Sequence, residues 1–272
     1  MFPLFQKEAP ANAKQLADAL SASLRHVLEI ARDPVVVQAR TFPDLDEIAI
    51  DLSGAKMRMN ATRPPFPPGE GERAISARNL NLVARPVSIA GAAVNLALEA
   101  QNIVLHQNRD AEGNVFLLLH DADSGRIGVS ISLEDLETLV TEVAKTEAGK
   151  HGIVIEDVLL NLTSKGNRSV GAELRVQARK LFVRTTIRIS GQMKIDDELV
   201  ARLSDVNCSG EGAIGTMACG ILTPHLQKLE AREFPLLAFS LGQLRLRDLE
   251  LVADRGIKIA AEFGTGPASQ LT

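Results

Sequence analysis

The sequence predicts an α+β fold: a long, strongly curved antiparallel sheet wrapped around a central helix, with an N-terminal helix and a second long helix. Three observations carry this. Most of the chain alternates apolar and polar residues with period two, the mark of half-buried strands. Stretches near residues 12–31 and 132–149 instead carry helical spacing behind capping residues. A short polar interruption recurs inside the strand-like segments and shifts their alternation by one residue.

The first helix follows Pro10 and Asn12. Leu16, Leu20, Leu24, Val27, Leu28 and Ala31 form its apolar stripe, Asn12 is the expected N-cap with Gln15 three residues on, and Asp33-Pro34 the expected stop. The central helix starts at Ser132, because Ser132-Leu133-Glu134-Asp135 reads as a capping box. Leu133, Leu136, Leu139, Val140 and Val143 form its apolar face, and Gly149 and Gly152 end it. A third helix falls within 213–232, where Thr223-Pro224 is either an N-cap with proline at the first helical position or a kink inside a longer helix.

Hairpins account for much of the remainder. Leu244, Leu246, Leu249 and Leu251 lead to a turn at Asp254-Arg255-Gly256, and Ile257, Ile259, Ala261 and Phe263 return. Another runs from Ile153 to Leu162, turns at Ser164-Lys165-Gly166-Asn167 and returns from Val170. The run from Val170 to Ile189 is long for one strand. Residues 63–71, rich in proline and glycine, read as a stiff surface loop.

The recurring interruption is apolar-x-apolar-x-Asp/Asn-apolar-x-apolar. It places Asn79, Asn102, Asp157, Asp205 and Asp248 at the slip, with Lys180 in a sixth copy. An extra residue in a β-bulge restores the buried face, and Asp or Asn tolerates the unusual backbone there. Long strands bent at these points are the source of the expected curvature, and the capped helix supplies an apolar face for the sheet to close over. Because the strand pattern continues on both sides of that helix, a single domain over 1–272 is expected.

Composition narrows the function. Hydrophobic residues make up 45% and charged residues 24%, which fits a globular chain. The net charge is −4, with no Trp and no Tyr, so neither a broad basic surface nor the usual stacking rings favour nucleic acid. Met1 to Glu8 has no basic segment followed by an apolar core, and no apolar run approaches the ~20 residues of a membrane span. A cytoplasmic, soluble protein with reduced thiols is therefore expected, in peripheral contact with membrane at most. Cys208 and Cys219 form no CxxC or metal-ligand spacing; a single bridge between them stays open.

Candidate chemistry is sparse. Gly210-Glu211-Gly212-Ala213-Ile214-Gly215 matches GxGxxG, which binds a dinucleotide only between a parallel strand and a helix. The alternative is a tight crossover in which glycines let the chain pass close to the sheet. The five histidines show no HExxH spacing; His120-Asp121-Ala122-Asp123 is a turn-like cluster able to meet a cation or simply a solvated loop, and Asp196-Asp197-Glu198 sits at an expected turn. Neither a Gly-x-Ser-x-Gly elbow nor a paired cysteine nucleophile is present, so no enzyme, no metal and no cofactor are expected. Phe234-Pro235-Leu236-Leu237-Ala238-Phe239 is the most apolar short segment outside the strands. It reads as a packed connection between helix and hairpin, as the mouth of a pocket, or as a membrane-touching tip through Phe234, Leu236, Leu237 and Phe239.

The order of these elements, with Val129-Ser130-Ile131-Ser132-Leu133-Glu134-Asp135-Leu136 opening the central helix and the Gly-rich crossover leading to the last helix and hairpin, resembles the tubular lipid-binding (TULIP) superfamily. It looks closest to the bacterial LmeA-like phospholipid-binding family, over about residues 12–264. The resemblance implies non-enzymatic binding or transfer of a phospholipid or other apolar ligand between curled sheet and helix, with Leu133, Leu136, Leu139, Val140 and Val143 lining the pocket. The alternatives are a structural or interaction protein with a filled core, and a nucleotide-binding enzyme using the Gly210–Gly215 loop.

Overall fold

The computed structural model describes residues 2–58, 69, 71–149, 152–180, 182–196, 200–235 and 246–265. In chain order these form β1 (Phe2–Pro3), α1 (Ala13–Val27), β2 (Leu28–Glu29), β3 (Val35–Thr41), β4 (Asp44–Asp51), β5 (Lys56–Met57), β6 (Glu72–Ile89), β7 (Ala92–Arg109), β8 (Val115–Asp121) and β9 (Ser124–Ser132). There follow α2 (Leu133–Gly149), β10 (Val154–Gly166), β11 (Ser169–Lys180), β12 (Val183–Ile195), β13 (Val200–Gly210), α3 (Gly212–Glu230), β14 (Glu233–Pro235), β15 (Leu246–Ala253) and β16 (Gly256–Phe263).

The α+β class holds, with large antiparallel sheets, but the strands divide into two sheets where one was expected. The first runs β15-β16-β9-β7-β6-β4-β3, with β1, β2, β5 and β8 attached at its side; the second runs β10-β11-β12-β13-β14. Neither is strongly curled. The break falls at α2, which takes the chain off β9 and delivers it to the start of β10. Among the described strands, β4 and β5 also depart from the antiparallel rule, both pairing parallel with β6.

The helix signals map closely. Asn12 Oδ1 accepts the Gln15 N–H at 2.9 Å, and Gln15 Oε1 accepts the Ala11 N–H at 2.8 Å. Leu16, Ala19, Leu20 and Leu24 are buried in a core shared with the first sheet. This helix stops at Val27, before Asp33-Pro34, because Leu28 turns extended to pair with Met57 and is itself buried. At α2, Ser132 Oγ accepts the Asp135 N–H at 3.1 Å. Past its end, Gly152 takes a positive φ of 68° and donates its N–H to the Gly149 carbonyl. Pro224 lies inside α3, and Thr223 Oγ1 donates to the Cys219 carbonyl at 2.7 Å.

Four of the six slip positions coincide with irregularities. The β10–β11 register shifts between Ile155 and Asp157, and the β15–β16 register between Leu246 and Asp248. Asp205 has φ 55° beside the β12–β13 shift, where Gly191 leaves room for Val206. Asn102 has φ 49° where β7 passes from β9 to β8, and donates to Asp123 at 2.7 Å. Asn79 keeps an ordinary register against Gln101, and Lys180 occupies the last rung of a hairpin, opposite Val183. That hairpin resolves the long run from Val170 into β11 and β12.

A second core joins the sheets. Val170, Ile195 and Ala201 of the second sheet pack with Leu249, Leu251, Ala253 and Ala261 of the β15–β16 hairpin. Leu251 donates its N–H to the Asn167 carbonyl at 2.7 Å, and Arg168 Nε donates to the Leu249 carbonyl at 2.9 Å. Among the described residues no helix is long and apolar enough to cross a membrane.

Candidate functional site: an apolar cavity under two helices

The second sheet has one apolar face. Leu174 lies opposite Ile189, Val176 opposite Ile187, and Ala178 opposite Thr185, each pair two residues from the next and therefore on the same side. Ile155 joins them from β10 opposite Ala178, and Cys208 from β13 opposite Ile189. One end of this face is covered by the β15–β16 hairpin through the second core. The other end is covered by α2, which runs along β10, and α3, which lies over β12 and β13.

Local chemistry seats α3 tightly. A Cβ on Gly210 would come within 2.1 Å of the Gly215 backbone, and one on Gly215 within 2.5 Å of Thr185 Oγ1. Only glycine permits this contact of helix start and strand end. Glu211 then donates its N–H to the Thr186 carbonyl and accepts from Thr185 Oγ1 through its own carbonyl, both at 2.9 Å. A disulfide between Cys208 and Cys219 ties the next turns of the helix to β13. The thiols expected to be reduced are thus bonded. The GxGxxG segment serves the crossover, since β13 runs antiparallel to both its neighbours, unlike the strand of a dinucleotide fingerprint.

Seated this way, the helices leave a cavity of about 670 Å³ between them and the sheet. Ile214, Met217, Ala218, Ile221 and Leu222 line it from α3, and Ala144 and Ala148 from α2. Ile153, Ile155, Val176, Ala178, Ile187 and Ile189 form the floor; among the described residues Arg179 and Thr185 are its polar lining residues. Met217 and Ile221 are 64% and 63% exposed, so the cavity opens toward solvent through apolar side chains. Its size lies within the range of small-molecule pockets.

The larger apolar side chains of α2 lie outside the lining. Leu133, Leu136, Leu139 and Val140 are half-buried, and Val143 is 53% exposed. None of the five is among the lining residues; Val140 precedes Ala144 by one helical turn, on the same face. The spacing of Ala144 and Ala148 was the usable signal, since small residues mark where a helix leaves space. Phe234 pairs through its backbone with Ala201, while its side chain and Leu236, Leu237 and Phe239 lie outside the described residues.

Several charged groups outside the cavity hold strands together. Arg202 donates to Glu233 at 3.0 Å and to Asp196, contacts that raise its pKa, Glu233 foremost, and that pin β14 to β13. His106 and His120 stack with ring centroids 3.6 Å apart. Asp121 accepts the Ala122 N–H, and Asp123 the Asn102 amide, so this cluster forms a strand corner. No group of three or more metal-binding side chains occurs among the described residues. Comparison with protein-family models, curated proteins and solved structures finds no match to this chain.

Proposed function

We propose that the protein binds the acyl chain of a phospholipid, or a similar apolar ligand, in the cavity between α2, α3 and the β10–β13 sheet, and carries it without chemical change. The observation that carries this reading is the lining: a space of about 670 Å³ with Arg179 and Thr185 as its polar members among the described residues. An apolar space open to water is costly when empty, and each buried methylene contributes about 0.8 kcal/mol to a ligand. A filled structural core would place large side chains at Ala144, Ala148 and Ala218.

The finer fold reading, a single domain of the tubular lipid-binding type, belongs to the same proposal. Support comes from the irregularities at Asn102, Asp157, Asp205 and Asp248, and from the core shared by the two sheets. The Cys208–Cys219 bridge favours an oxidising compartment over the cytoplasm expected from the sequence.

Native mass spectrometry of gently purified protein, followed by lipid extraction, tests the proposal. A lipid adduct is expected on the wild type and should be weakened in Ala148→Trp, whose indole intrudes into the cavity between α2, α3 and the sheet. Protein that carries no adduct and takes up no added fluorescent fatty acid would overturn it.

A further inference from the structure

The β11–β12 hairpin carries two features that folding does not explain. Phe182, at its tip, is 97% exposed, and Val183 beside it is 48% exposed. Between Glu173 and Asp196 the sequence holds six basic residues and no acidic one, although the whole chain has a net charge of −4. Register concentrates four of the arginines: Arg175 lies directly opposite Arg188, and Arg179 directly opposite Arg184. Like charges across a strand pair are destabilising.

Compensation is partial. Glu156 bridges Arg179 and Arg184 at 3.1 Å each, Glu211 meets Arg188 at 3.1 Å, and Asp157 lies opposite Gln177. Arg175 has no acidic partner among the described residues. An exposed aromatic tip with arginines behind it matches a bilayer surface, apolar in depth and anionic at the phosphates. Charge therefore selects the occupant.

We propose that the tip of the β11–β12 hairpin docks on an anionic lipid bilayer, Phe182 and Val183 entering the interface and Arg175, Arg184 and Arg188 facing lipid phosphates. This rests on the lipid-binding reading and adds its membrane partner. The geometry links the two: Ala178, Arg179 and Thr185, on the two rungs next to the last, also line the cavity. A docked tip would hold the cavity close to the lipids it exchanges.

Cosedimentation with phosphatidylcholine vesicles, with and without phosphatidylglycerol, tests the docking. Wild type should bind only the anionic vesicles, and added salt should release it. Phe182→Ser, at a fully exposed site with no packing to lose, should weaken binding about tenfold. Arg175→Gln and Arg184→Gln should each weaken it about fivefold. Failure to bind anionic vesicles, or equal binding by Phe182→Ser, would overturn the proposal, as would self-association abolished by Phe182→Ser. Lipid occupancy of Ala148→Trp is read separately by mass spectrometry, so failure of the pocket and failure of the docking tip give different results.

Discussion

Glu137, on α2, accepts the backbone N–H of Leu160, on the edge of β10, at 2.8 Å. Two residues earlier on the same helix, Asp135 accepts the Ala93 N–H at the start of β7, also at 2.8 Å. One helix thus supplies a carboxylate to each sheet. That is how α2 bridges the break between them and holds the rim of the cavity.

Glu137→Ala would leave the Leu160 N–H without its acceptor on a strand whose side chain there is buried. Loss of a charge-assisted bond of this kind costs about 1.5–3 kcal/mol. Glu137→Gln keeps an acceptor oxygen and should lose less. Urea denaturation of both variants checks the order: Ala least stable, Gln intermediate, wild type most stable. Equal midpoints for all three would mean that α2 is held by its apolar face alone.

The crossover glycines give a sharper contrast. At Gly210 an added Cβ meets backbone at 2.1–2.6 Å, which no side-chain rotation can relieve. Gly210→Ala should therefore cost about 3 kcal/mol, in the range of overpacked sites. Gly212, two residues on, has open space around it but a φ of 68°. Gly212→Ala pays only for left-handed backbone, about 1–2 kcal/mol. Thermal unfolding should rank Gly210→Ala below Gly212→Ala; the reverse order would remove close approach as the reason for glycine at Gly210.

Local signals were the legible part of this chain. Asn12 and Ser132 cap their helices as their sequence context predicts, because a cap needs only residues within three or four positions. Asp157 and Asp248 mark register shifts because a change of period shows within one strand. The division into two sheets depends on which distant strands pair, and nothing in the alternation of β9 or β10 states their partners. Leu28 illustrates the same limit: its apolar character fits the helix stripe equally well, and only pairing with Met57 decides for a strand. The cavity was harder still. Lining a space and filling a core use the same residue types, and large residues such as Leu139 and Val143 dominate the helical pattern while the small Ala144 and Ala148 leave the room.

The disulfide permits a test that joins stability to function. Cys208 and Cys219 close a loop with a sequence separation of 11 residues between β13 and α3. Closing a loop of that size restricts the unfolded chain by about 3 kcal/mol. The same bridge fastens the helix that carries Ile214, Met217, Ala218, Ile221 and Leu222, one wall of the cavity. Replacing both cysteines with serine should lower stability by up to that amount. Because α3 then loses its disulfide tie to β13 and is seated by the Gly210–Gly215 contact and by hydrogen bonds such as those to Thr185 and Thr186 and from the Val206 N–H to Glu230, its wall should also open more often, and bound lipid should leave faster. Urea denaturation measures the first effect; the rate at which a fluorescent fatty acid is lost to acceptor vesicles measures the second. A variant that is less stable yet releases ligand at the wild-type rate would show that α3 does not gate the cavity.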